Sequence, residues 1–354
     1  DDECGRAAII ENGSPLFSGG TSSGESQIRR WLLENDYIEA IIQLSTDMFY
    51  NTGIATYIWV LSKNKRAERK GKIQLIDASH LCNKLRKNLG NKKCEIAPKD
   101  RVAITKLYAD FKENEHCQIY DNTEFIYREY AVMQPLQRSY AITEDRINAM
   151  LSSGALSTLY DEVKVDELEN MDELTGKDKN KLDNFKKNKP IYDAIVDALN
   201  NAVSDKVYKN PETFTPVVNN ILSGIISDAK DLKKIADKII KGLSVMDKTA
   251  DIQKDKKDNV IYDTETKDTE IVPWETNIDD YMASEVLPHV PDAKAFFEED
   301  LGKKNPVIKT GAEIPFTRYF YKYQAPASSD ELAKRFNELD TSVDSRIKKL
   351  FGGN

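Results

Sequence analysis

The run Tyr37-Ile38-Glu39-Ala40-Ile41-Ile42-Gln43-Leu44 decides the fold. It is short and rich in isoleucine, and polar breaks bound it at Asn35-Asp36 and at the loop holding Asn51-Thr52-Gly53. Such a run reads as a buried strand. A second one, Ala55 to Leu61, follows closely enough to pair with it antiparallel, and Lys63-Asn64-Lys65-Arg66 ends it. Upstream, Ile28, Trp31, Leu32 and Leu33 belong to a helix that Ser23 or Ser26 can cap, with Arg29 and Arg30 on its polar side. Before that helix, Gly5-Arg6-Ala7-Ala8-Ile9-Ile10 reads as a buried strand of the parallel type. Downstream, Ile73-Gln74-Leu75-Ile76-Asp77 is a fourth strand. Strand, helix, strand, strand in this order predicts the edge of an α/β sheet. Asp1-Asp2-Glu3-Cys4 opens the chain without Met, so the chain reads as cut from something larger.

From Lys84 to Lys106 the sequence turns basic: Lys84, Arg86, Lys87, Lys92, Lys93, Lys99, Arg101 and Lys106 face only Glu95 and Asp100. A helix with Val102, Ile104, Leu107, Tyr108 and Phe111 overlaps the end of this run. Phe125 to Val132 and Arg138 to Ile142 read as strands. The next hundred residues are mostly helical. Thr143 caps a helix with Ile147, Met150 and Leu151. Ile191, Ile195, Leu199 and Val203 form a helical stripe. Thr215-Pro216 reads as N-cap and first helical position, ahead of Val218, Leu222 and Ile226. Pro273, Pro288, Pro291, Pro306 and Pro315 then favour an extended path, and the aromatic run Phe316 to Tyr323 is expected to pack along it. Ser328 and Glu331 form a capping box for a last helix, stopped by Gly352-Gly353. Its apolar stripe, Leu332, Phe336, Leu339, Val343, Ile347 and Leu350, suits packing on another helix. The expected segments are an α/β part over 1–80, a basic α+β extension over 81–142, a helical region over 143–272, an extended segment over 273–327 and the terminal helix over 328–354.

Composition excludes several classes. The 354 residues are 40% hydrophobic and 31% charged, with a net charge of −8. No run approaches the roughly 20 apolar residues that span a bilayer, and no signal peptide is visible. The acidic balance argues against a generally basic nucleic-acid coat and leaves room for a local basic face. Cys4, Cys82, Cys94 and Cys117 include no Cys-x-x-Cys pair, so reduced thiols in a cytoplasmic chain are expected. His80, Cys82, Cys94, His116 and Cys117 fit no common zinc spacing, and no metal is expected. The Phe17 to Gly24 loop lacks the Gly-Lys-Ser/Thr of a P-loop.

Three stretches carry a resemblance. The first is Gly5 to Ile10 with Asn12-Gly13 and Leu16-Phe17-Ser18-Gly19-Gly20. The second is Ile38 to Leu44 with Phe49-Tyr50-Asn51-Thr52-Gly53-Ile54 and Val60 to Lys65. The third is Glu285 to Ala293 with Gly311 to Phe316 and Arg318 to Tyr323. Together they resemble the modification (M) subunit of type I restriction-modification systems, a DNA adenine-N6 methyltransferase that uses S-adenosylmethionine (AdoMet). The resemblance implies the C-terminal half of a doubly wound methyltransferase sheet, then a helical region and an aromatic tail ending in a helix. Neither a Gly-rich cofactor loop nor an Asn-Pro-Pro-aromatic motif occurs in the sequence. It therefore implies no catalytic residues here, no tight AdoMet binding and no activity of this polypeptide alone.

The resemblance places Phe49 against a flipped adenine, with Tyr50, Asn51, Thr52 and Gly53 at the pocket rim. Phe17, Ser18, Gly19 and Gly20 become a pocket-side loop. Lys84, Arg86, Lys87, Lys92 and Lys93 become candidates for DNA phosphate contact. Implied partners are a specificity (S) subunit on the terminal helix, a second M subunit, an ATP-using restriction (R) subunit and double-stranded DNA, with no membrane. The alternatives are a non-catalytic interaction module binding the S subunit or another protein, and a stand-alone DNA-binding protein that depends on Lys92 and Lys93.

Overall fold

A computed structural model describes residues 4–171, 173–323 and 325–351. It divides into two compact units: Asp1–Glu129, Pro273–Glu275 and Glu299–Asn354 form one, and Tyr130–Val272 with Thr276–Glu298 forms the other.

The first unit is built on a mixed five-stranded sheet. Its elements are β1 (Arg6–Asn12), α1 (Gly24–Glu34), β2 (Ile38–Gln43), β3 (Thr56–Ser62), β4 (Lys72–Asp77), β5 (Asn83–Leu89), β6 (Lys92–Glu95), α2 (Pro98–Asp110) and β7 (Cys117–Asp121). The sheet order is β1-β3-β2-β4-β7, and only β2 and β4 run parallel. Strands β2 and β3 pair antiparallel, with Ile41 opposite Trp59. Strands β2 and β4 are buried along almost their whole length, as continuous apolar runs require. Ser23 caps α1, its hydroxyl accepting from the Ser26 N–H at 3.2 Å.

Three expectations fail in this unit, the third only in part. Strand β1 is not a buried parallel strand. It pairs antiparallel with β3 at the sheet edge, and all seven of its residues are exposed, Ile10 by 51%. Its apolar run signals two faces suited to burial, and among the described residues neither is covered. Arg29 is not on a polar face either, being only 2% exposed. Its guanidinium donates to the carbonyls of Ala312 (2.8 Å), Pro15 (2.9 Å) and Ser18 (2.8 Å). It thus ties the loop after β1 to a strand far along the chain, Thr310–Ala312. Ala312, Ile314 and Phe316 complete the core formed by Leu16, Leu33, Ile41, Tyr57 and Trp59. The aromatic run is only partly extended, because Phe316–Phe320 closes into a short helix. Tyr319 packs on Tyr120 and Phe125, while Tyr321 and Tyr323 are exposed.

In the second unit, helices Glu144–Ser152, Gly176–Asn201, Pro211–Ser223 and Ala229–Gly242 bury Ile147, Met150, Ile195, Leu199, Phe214, Val218, Leu222 and Ile239 together. Thr143 caps the first helix as expected. The Thr215-Pro216 signal is misplaced. Asn210 is the N-cap, Pro211 takes the first position, and Pro216 lies inside the helix. The Thr215 hydroxyl donates to the Pro211 carbonyl at 2.7 Å. The earlier proline therefore wins, with a cap residue directly before it.

The terminal helix, Ser329–Phe351, has no buried residue. Ser328 Oγ accepts from the Glu331 N–H, one half of the expected capping box, while the Glu331 carboxylate accepts from Arg335 instead, and the Gly352-Gly353 stop lies outside the described residues. No helix among the described residues is long and apolar enough to cross a membrane.

Candidate functional site

Strand directions gather the candidate residues. Asn12, at the end of β1, pairs with Thr56, and Gln43, at the end of β2, pairs with Tyr57 and with Asp77 at the end of β4. The carboxyl ends of β1, β2 and β4 therefore lie at the same end of the sheet. The loop with Phe17 to Gly20, the loop with Phe49 to Gly53 and the chain leading into β5 all leave from that end. Ligands of α/β sheets bind at the carboxyl ends of strands because the connecting loops meet there.

The Phe49 loop is a tight turn. Phe49 and Thr52 form an isolated bridge, the Asp47 N–H donates to the Gly53 carbonyl at 3.3 Å, and Thr52 Oγ1 accepts from the Ile54 N–H at 3.3 Å. A Cβ on Gly53 would meet Asp47 Oδ1 at 2.9 Å, so a side chain there would displace the Asp47 carboxylate. Phe49 is half-buried; Tyr50 at 58%, Asn51 and Gly53 are exposed. A partly covered ring beside an exposed rim suits stacking on a planar group.

The sequence reading missed how the basic run folds. Strands β5 and β6 form a hairpin with Leu89 opposite Lys92. The signal was present: Gly90-Asn91 is a two-residue hairpin turn of the Gly-Asn kind, and Gly90 has φ +63°. The hairpin lies against the Phe49 loop. The Asn91 N–H donates to the Tyr50 carbonyl at 2.9 Å, and the Lys93 N–H to the Asp47 carbonyl at 2.9 Å. Lys93 Nζ pairs with Asp47 at 3.3 Å, and Lys92 Nζ stands 5.5 Å from the centre of the Tyr50 ring. The structure thus joins the rim residues to Lys92 and Lys93.

Beneath the turn, the Cys94 thiol donates to the Thr46 carbonyl at 3.0 Å, and the Cys82 thiol bonds Ser45 Oγ at 3.2 Å. Burial pushes the Cys94 thiol's pKa up, so Cys94 is a poor source of thiolate. Among the described residues, no cluster of three or more His, Cys, Asp or Glu could hold a metal.

The Phe17–Gly20 loop is held by Arg29 through Ser18, and Phe17 is 55% exposed. Beside it, Ile9, Ile28, Leu32 and Trp59 line an open groove of about 440 Å³, with Glu11 and Glu25 also along it. Tyr57 lies under the end of β1. Burial, with Asp77 nearby, raises its phenol's pKa and keeps it neutral.

Residues 2–145 match the N-6 DNA Methylase family. The chain resembles type I methylase subunits. Over 127 residues it is 35% identical to the type I restriction enzyme MjaVIII methylase subunit of Methanocaldococcus jannaschii, covering 35% of this chain and 21% of that one. Over 109 residues it is 34% identical to the MpnII methylase subunit of Mycoplasma pneumoniae, covering 31% of this chain and 18% of that one. A solved type I restriction-modification methyltransferase subunit from Streptococcus thermophilus aligns at 27% identity and a TM-score of 0.30, over 34% of this chain and 24% of the other. The chain spans only about a fifth of the curated relatives' length.

Proposed function

We propose that this chain is part of the M subunit of a type I restriction-modification system, and that with the rest of its machinery it methylates adenine N6 in double-stranded DNA. One observation carries this reading: the carboxyl ends of β1, β2 and β4 bring the Phe17 and Phe49 loops to one end of a sheet that falls within the methylase match. The exposed β1 edge supports a sheet that continues into the rest of a doubly wound domain.

An adenine amine is a weak nucleophile because its lone pair is conjugated into the ring. Methylating it requires acceptors for the amine hydrogens and a stacked, extruded base. In this reading Phe49 stacks on the base, and Tyr50 to Gly53 shape the rim. The acceptors belong to the Asn-Pro-Pro-aromatic motif, which this sequence lacks. AdoMet supplies the methyl group. The residues that line the groove beside β1 include no Gly-rich turn, and we derive no step through the donor here. The 354 residues alone are therefore inactive.

The terminal helix favours a partner. Leu332, Phe336, Leu339, Val343, Ile347 and Leu350 are each about half exposed or more, which suits an S subunit that reads the sequence, in a complex of two M subunits and one S. An R subunit using ATP completes the restriction enzyme. The same helix favours the second reading, a non-catalytic interaction module. The test is transfer of labelled methyl from AdoMet to duplex DNA by this chain mixed with an S subunit and a polypeptide carrying the missing motif. Transfer that needs all three supports the methyltransferase; S-subunit binding without any transfer leaves the module.

A further inference from the structure

Of the β5–β6 hairpin's cations only Lys93, held by Asp47, has a counter-charge among the described residues. Among the described residues, Lys84, Arg86, Lys87 and Lys92 form no ion pair, and the first three are exposed. In a chain of net charge −8, four free cations on one short ribbon leave a local field that favours an anionic polymer. The same ribbon is fastened to the loop that carries Phe49. A Cβ on Gly90 would meet the Tyr50 carbonyl oxygen at 2.8 Å, so the turn touches the rim backbone with no space left. The Asn91 and Lys93 N–H groups and the Cys94 thiol hold the Tyr50, Asp47 and Thr46 carbonyls. All three acceptors lie in the segment that ends at Tyr50.

We propose that the β5–β6 hairpin is a phosphate-binding arm for duplex DNA and a positioning element for the Phe49 loop, so that gripping the backbone and shaping the base pocket are one mechanical act. The arm rests on the hairpin alone. Its role at the rim rests also on the reading that Phe49 meets an extruded base. The hairpin's free cations take the phosphates flanking that base, while its second strand keeps the rim in register. Lys93 contributes less, because Asp47 already neutralises it.

The test uses the full chain together with an S subunit and a polypeptide carrying the missing motif, and a duplex carrying 2-aminopurine, whose fluorescence rises when it leaves the stack. Affinity is measured against KCl concentration. Each phosphate contact contributes about 0.9 to the slope of log affinity against log salt. K84A/R86A/K87A should flatten the slope by about 2 to 3, and the charge-preserving K84R/R86K/K87R should restore it. G90V keeps every cation, so it should keep the slope but lose the 2-aminopurine signal. An unchanged slope in the triple alanine variant overturns the arm. A full signal in G90V overturns the positioning role. If the parent chain shows no signal while the triple variant still flattens the slope, the base-pocket reading and the positioning role fall and the arm stands. Circular dichroism melts keep misfolded variants out of the comparison.

Discussion

Two sets of cations in the first unit are opposites. Arg29, Lys65 and Arg69 are buried and satisfied: Arg29 by three carbonyls, Lys65 by Asp36 and the Lys72 carbonyl, and Arg69 by Glu39 and Gln74. Lys84, Arg86 and Lys87 are exposed and unpaired among the described residues. A buried charge persists only where its surroundings complete its hydrogen bonds, so the first set records what holds the fold. An exposed charge costs the fold nothing and stays free for a ligand. Charge counts alone would merge the two sets, and environment separates them.

The largest effect should come from breaking the buried set. Arg29→Met leaves the Pro15 and Ser18 carbonyls without this donor and the Ala312 carbonyl with only Ser26 Oγ at 3.4 Å, and should cost about 3–5 kcal/mol, read as a shift in the urea midpoint. Arg29→Lys should recover little of it, because one ammonium cannot reproduce a planar fork. Next, alkaline pH probes the same core through Tyr319. Burial, with Glu124 and Tyr120 alongside, pushes its phenol from 10.0 up to about 12. A raised folded pKa means that this stability is fully present below pH 10 and is lost as pH rises to about 12. Tyr319→Phe should flatten that decline in melts taken across the range. The smallest stability effect should come from the exposed set. K84A/R86A/K87A should stay within about 0.5 kcal/mol of the parent while losing salt-dependent DNA affinity. A large loss of stability in that variant would erase the distinction between the two sets. Phe336→Glu in the terminal helix should likewise leave the melt unchanged, and it should weaken capture by an S subunit in a pull-down.

Much of the sheet was legible because Ile38 to Leu44 and Ile73 to Asp77 are buried along almost their whole length, and burial writes itself as unbroken apolar runs. The same rule misled at β1, where Ile9 and Ile10 look buried in sequence and are exposed. Arg29 was illegible because an arginine beside another in an amphipathic helix normally marks the wet side. The carbonyls of Pro15, Ser18 and the distant Ala312 together change that, and no local pattern reports them. At the site, Phe49 to Gly53 stood out through family likeness. The basic run was visible as charge. Its hairpin went unread because lysines obscure a strand pattern, although Gly90-Asn91 marked the turn.

The distant strand Thr310–Ala312 also has a consequence for biogenesis. Ala312, Ile314 and Phe316 belong to the same core as Leu16 and Ile41, yet the ribosome adds them only after the whole of the second unit. During synthesis the early strands must wait with an unfinished core while the helical insertion emerges and can fold first. A nascent chain stalled before Thr310 should therefore hold a protease-resistant second unit and a first unit that is still cleavable.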